Sequence, residues 1–142
     1  MQTKLNIKTS LKAGLMAAIA AAIINVLLFF IFHALGVITD DILIQPNQPL
    51  TFIPVIISSI LPTLFASFVF FLIEKYSRNG FKSFRVVAIV LLLLSFMNPF
   101  MGIEGITIGY ALALNLMHIV VVASLLFFIK REKQSAADLS LT

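Results

Sequence analysis

The chain contains no cysteine. That absence removes disulfide frameworks, thiolate nucleophiles, cysteine-ligated zinc and iron–sulfur clusters, and with them the quinone-linked thiol oxidoreductases. Charge is scarce too: 11% of residues are Asp, Glu, Lys or Arg, against about 25% in a soluble domain. Six residues are acidic, and none lies inside a long apolar run. A proton-coupled pump relies on a membrane-embedded carboxylate, and a small multidrug exporter would carry one in its first span, so both classes lose support. Metal hydrolysis and aspartyl-protease chemistry lack their residues as well, so neither a metal nor a cofactor is expected.

What remains is apolar. Hydrophobic residues make up 61% of the 142, and the mean hydropathy is +1.10. A soluble fold of this size could not hide that much apolar surface, whereas lipid can. Residues 13–37, 50–73, 86–103 and 105–129 form four uncharged runs of 25, 24, 18 and 25 residues. A hydrocarbon core of ~30 Å takes about 20 helical residues, so three runs span with room for tilt and the third only just spans. Backbone polar groups must be paired in lipid, so each run should be helical, and the lack of alternation argues against a barrel. The expected fold is all-α: an integral membrane four-helix bundle, one domain over residues 1–133, with a short disordered tail over 134–142.

The basic residues give direction. Lys4, Lys8 and Lys12 precede the first run, Lys75, Arg78, Lys82 and Arg85 lie between the second and third, and Lys130, Arg131 and Lys133 follow the fourth. The other face carries Asp40, Asp41 and Glu104 and no basic residue. The basic face should be cytoplasmic, with both termini on it. The lysines before the first run resemble a signal-peptide n-region, but its 25 apolar residues exceed a usual h-region of about 7–15. Phe32-His33-Ala34-Leu35-Gly36 is a poor cleavage site, and the first span is expected to stay in the mature protein.

Helix contacts in lipid are marked by small residues. Gly14, Ala18, Ala21 and Ala22 form a stripe ending at Asn25, and Gly105, Gly109 and Ala113 recur at four-residue intervals; both read as packing faces. Pro62 should kink the second helix, with Ser59, Thr63 and Ser67 placed to bond freed carbonyls. Pro99 should unwind the outer end of the third. Asn79-Gly80 reads as a turn in which both residues tolerate positive φ. In the outer loop, Thr39-Asp40-Asp41 could start a short helix, while Pro46 and Pro49 favour an extended stretch.

With each run centred in the bilayer, Asn25, Pro62, Thr63, Ser95, Asn98, Asn115 and His118 fall within ~6 Å of one plane. Every helix contributes a polar group to this layer. Asn and His can bond across helices for ~0.6–2 kcal/mol and fix register with no ligand. Alternatively, Asn25, Asn98, Asn115 and His118 form a ligand site. His118 is the only titratable side chain at that depth, and without an acid beside it neutral imidazole is expected. His33 lies ~12 Å from the level of His118 on this centred geometry, a poor match for two axial haem ligands.

Over nearly its whole length the chain resembles a family of small four-helix bacterial membrane proteins of unknown function. The resemblance rests on the lysine-flanked, alanine-rich first span, Ile44-Gln45-Pro46-Asn47-Gln48-Pro49, Phe96-Met97-Asn98-Pro99-Phe100, and Tyr110-Ala111-Leu112-Ala113-Leu114-Asn115-Leu116-Met117-His118. It implies fold and bacterial origin, hence the inner membrane, and transfers no substrate. The function expected is non-enzymatic: an accessory, assembly or small-ligand-binding component. A small-solute or lipid carrier whose cavity is the midplane polar layer under the 38–49 loop, and an enzyme using His118 as base, stay open. The bilayer is the expected partner, with a second copy or another membrane protein left open and nucleic acid excluded.

Overall fold

The computed structural model describes residues 4–45 and 47–139, with the backbone alone at Gln45. Helix α1 runs Ile7–Ala34, α2 Phe52–Tyr76, α3 Gly80–Ser95, α4 Asn98–Gly102 and α5 Ile108–Leu139; strands β1 (Leu43–Gln45) and β2 (Gln48–Pro49) form a small antiparallel hairpin between α1 and α2. Counting α3 and α4 as one broken segment, Gly80–Gly102, four helices are long and apolar enough to cross a membrane.

The helices outrun the uncharged runs because helices end at caps, whereas a charged side chain does not by itself stop a helix. Helix α1 starts at Ile7: the Asn6 side chain accepts from the Thr9 N–H at 2.9 Å, satisfying a donor that has no intrahelical partner. It stops at Gly36, whose φ of 68° lets Val37 and Ile38 N–H groups turn back to the Phe32 carbonyl. Asn79 and Gly80 do not make the expected positive-φ turn. Asn79 instead caps α3, accepting from the Lys82 N–H at 3.3 Å, and Gly80 opens the helix.

The third segment breaks where proline predicts. Helix α3 ends at Ser95, and α4 restarts with Pro99 at its head, where a missing N–H costs nothing. Helix α5 starts at Ile108, capped by the Thr107 hydroxyl, which accepts from the Tyr110 N–H at 3.2 Å. Gly105 lies outside it with φ 71°, and Gly109 is exposed. The expected glycine stripe therefore does not form: Gly105 belongs to a turn, and only Ala113 of that set is buried. At its other end α5 continues through Gln134–Leu139, six residues expected to be disordered; this helix-favouring stretch follows directly on Lys133, which is held by an ion pair. Residues 140–142 of that expected tail, and Pro46 of the loop, lie outside the described residues.

The stripe on α1 does pack. Ala13, Ala17, Ala18 and Ala21 are fully buried, Ala22 nearly so, and a Cβ at Gly14 would overlap Ser67 of α2. Small residues let the α1 and α2 backbones approach closely, as membrane-type helix packing requires. Two apolar clusters form. One, toward the basic end, joins Leu5, Ala13, Ala17, Phe70, Phe84 and Ile129. The other, toward the hairpin, joins Phe29, Ile38, Ile42, Leu50, Val55 and Tyr110. No short helix forms at residues 39–41; the loop instead tucks Ile38 and Ile42 into the bundle.

Candidate functional site

Between the two apolar clusters lies a polar layer, and beside it a cavity of about 390 Å³ bounded by α2, α3 and α5, with Asn25 of α1 at its edge. Asn25 is 2% exposed. Its Nδ2 donates to the Ser59 hydroxyl at 2.9 Å and to the Met117 carbonyl at 3.2 Å, so one amide ties α1 to both α2 and α5. That uses both amide protons. The remaining atom, Oδ1, is buried and has no hydrogen-bond partner.

His118 lines the same cavity from α5. Its Nδ1 lies 2.7 Å from the Leu114 carbonyl. A carbonyl only accepts, so Nδ1 carries a proton, and in the tautomer with this one proton Nε2 is left as a lone-pair acceptor. None of the described residues bonds Nε2.

The cavity hydroxyls are turned away from this chemistry. Ser58 and Ser59 donate to the Val55 carbonyl, Thr63 to Ser59 and Ser95 to Leu92, each within its own helix. Pro62 has no N–H, so the Ser58 carbonyl also loses its usual helical donor. The polar end of the cavity is therefore rich in acceptors and poor in free protons. Below it, toward the basic end, Ala66, Val69, Phe84, Val122 and Leu125 make an apolar pouch. From His118 to Leu125 the helix rises ~10 Å.

Of the four candidate ligand residues, the structure brings Asn25 and His118 to one cavity and separates the other two. Asn115 is buried, but its Nδ2 donates to the Phe96 carbonyl at 3.3 Å, stitching α5 to the break between α3 and α4. Asn98 is exposed at the start of α4 and lies outside the cavity wall. Depth alone grouped it with the layer, and the turn at residues 96 and 97 carries it away. His33 stands apart, exposed, with Nε2 3.2 Å from Asp40 of the loop.

Sequence reasoning missed Glu74. It sits one residue beyond the second uncharged run, yet it lies within α2, is 2% exposed and pairs with Lys133 of α5. Gly80 packs against it so closely that a Cβ there would overlap the carboxylate. Lys12 and Glu132 add a second pair, at 3.0 Å, between α1 and α5. The available signal was that Glu74 and Glu132 are acids embedded in otherwise basic segments. Among the described residues no three His, Asp or Glu side chains converge as a metal site.

Fold and site together define a small four-helix protein whose apolar helices enclose a mostly apolar cavity with a polar edge. The chain belongs to DUF6069, a family of unknown function whose model matches residues 6–135. No curated protein and no solved structure matches it.

Proposed function

We propose that this is a four-span integral membrane protein of the bacterial inner membrane, with both termini cytoplasmic, that works by binding a small apolar molecule between α2, α3 and α5. The carrying observation is the cavity itself: about 390 Å³, with a buried, unpartnered Asn25 oxygen and His118 at one end of an apolar pouch. Ligand pockets have this make-up, mostly apolar walls with a few placed polar groups, in a volume of about 300–1,000 Å³. The orientation rests on all ten Lys and Arg residues falling at one end of the bundle.

A binding role, in an accessory or assembly component, fits better than passage of solute. The carrier alternative would use this same midplane layer as its cavity, but passage also needs an opening toward the 38–49 loop, and there Ile38, Ile42 and Leu50 pack against Phe29 and Tyr110. Catalysis by His118 has no paired acid or nucleophile beside it, since the cavity hydroxyls are committed to backbone carbonyls.

Native mass spectrometry from a mild detergent, comparing wild type with His118→Ala, tests the binding role. A discrete bound mass present in wild type and lost in the variant is expected; identical bare spectra would refute a ligand at this layer. Orientation is tested with single cysteines in the cysteine-free chain. Asp41→Cys should react with an impermeant maleimide from outside the inner membrane, and Arg78→Cys only after lysis; the opposite pattern inverts the topology.

A further inference from the structure

We infer that the cavity selects an uncharged molecule that presents a hydrogen-bond donor, a hydroxyl or N–H, on an apolar body. This rests on the binding role proposed above and narrows it to a ligand class. The selection follows from which protons the site has already used. Both Asn25 amide protons, the His118 Nδ1 proton and four cavity hydroxyl protons are committed within the protein. What is left without a partner on these two cavity-lining residues is Asn25 Oδ1, which is buried, and His118 Nε2.

A carboxylate or phosphate would find lone pairs facing lone pairs and no cation, since the cavity wall holds no Lys or Arg. A full positive charge would be stripped of water with no carboxylate to receive it, because no Asp or Glu lines the wall either. A neutral donor meets both acceptors and leaves nothing charged in the pouch. Residues of the wall also reach the outer surface: Phe65 of α2 is 69% exposed and Leu91 of α3 is 59% exposed. The mouth is therefore apolar and opens sideways, so the ligand arrives from the lipid, head at His118 and body toward Leu125. A phenol or quinol ring and an aliphatic lipid alcohol share this chemistry.

Wild-type protein in detergent should be titrated with para-hexylphenol and with para-hexylanisole, its methyl ether, which keeps the body and loses the donor. Para-hexylbenzoate supplies the anion, and octanol with octyl methyl ether repeats the comparison on an aliphatic body. Occupancy is read by native mass spectrometry, and the histidine nitrogens by NMR after ¹⁵N labelling. The expected result is at least tenfold weaker binding of each ether than of its alcohol, no saturable binding of the benzoate, and a shift of His118 Nε2 while His33 stays fixed. Preference for the phenol over octanol points to a ring-bearing natural ligand, and the reverse to a lipid alcohol; either supports the selection. Ether and alcohol binding equally, or benzoate binding best, overturns the donor rule while leaving the cavity a binding site. Failure of every probe to bind removes the binding role itself. In His118→Phe the alcohol advantage should shrink to threefold or less; an undiminished advantage takes His118 out of the site.

Discussion

Helices α1 and α3 are both apolar, and they meet the bundle in opposite ways. Helix α1 buries an unbroken run of Ala and Gly against α2 and α5, with Asn25 fastening all three. Helix α3 buries only Gly80, Phe84 and Ala88, and its upper half carries large exposed side chains such as Val90, Leu93 and Leu94. Small residues permit contact along the whole length of a helix, whereas bulky ones hold neighbours apart unless they interdigitate. So the bundle has a close-packed seam on one side and, on the other, a helix seated through its first half by Gly80, Phe84 and Ala88 and tied beyond its far end by Asn115 bonded to Phe96. The cavity is the space left under the second.

Five substitutions would break or sharpen that contrast, each read as a thermal unfolding midpoint by circular dichroism in detergent. The largest effect should come from Lys133→Met, which strands the buried Glu74 carboxylate; losing one partner of a buried pair costs about 3–5 kcal/mol. Adding Glu74→Met should restore most of that loss, whereas a merely additive double variant would argue that the pair is not coupled. Ala17→Leu, in the close-packed seam, should cost about 1–3 kcal/mol by overpacking. Asn25→Leu should cost about 1 kcal/mol, the usual worth of interhelical hydrogen bonds in such bundles. Smallest of all should be the effect of Ala88→Leu, because Ala88 lines the cavity and overpacking is costly where the core is already filled; the same change should abolish ligand binding. If Ala17→Leu and Ala88→Leu prove equally damaging, the seam and the cavity side do not differ as described.

Much of this architecture was legible in the sequence because long uncharged runs and proline breaks follow a simple code. Uninterrupted apolar runs gave the helix count, and Pro99 gave the break in the third. The alanine stripe gave the α1 face, and the depth of Asn25 and His118 placed them in one layer. Other features depended on lateral geometry, which depth and spacing do not contain. Gly105 and Gly109 keep the interval of a packing motif, yet a turn with positive φ places Gly105 before the helix begins. Asn98 has the right depth and lies beyond the helix break. Glu74 follows the second uncharged run by one residue, and only the approach of α5 and Gly80 buries it. The cavity was invisible for the same reason: it is made by how far α3 stands off, a quantity that no single helix encodes.

Asn25 also sets an order in time. Its two acceptors lie 34 and 92 residues further along the chain. At a synthesis rate of about 5–20 residues per second, Ser59 is made within roughly two to seven seconds of Asn25, and Met117 only after roughly five to eighteen. In a chain made from its N-terminus, the amide can satisfy one proton on α2 early, while the second has no partner until the last helix arrives. Completion of the bundle is thus recorded at Asn25 as well as at Glu74: until α5 is seated, α1 holds an unsatisfied donor, a mark by which an unfinished molecule differs from a finished one.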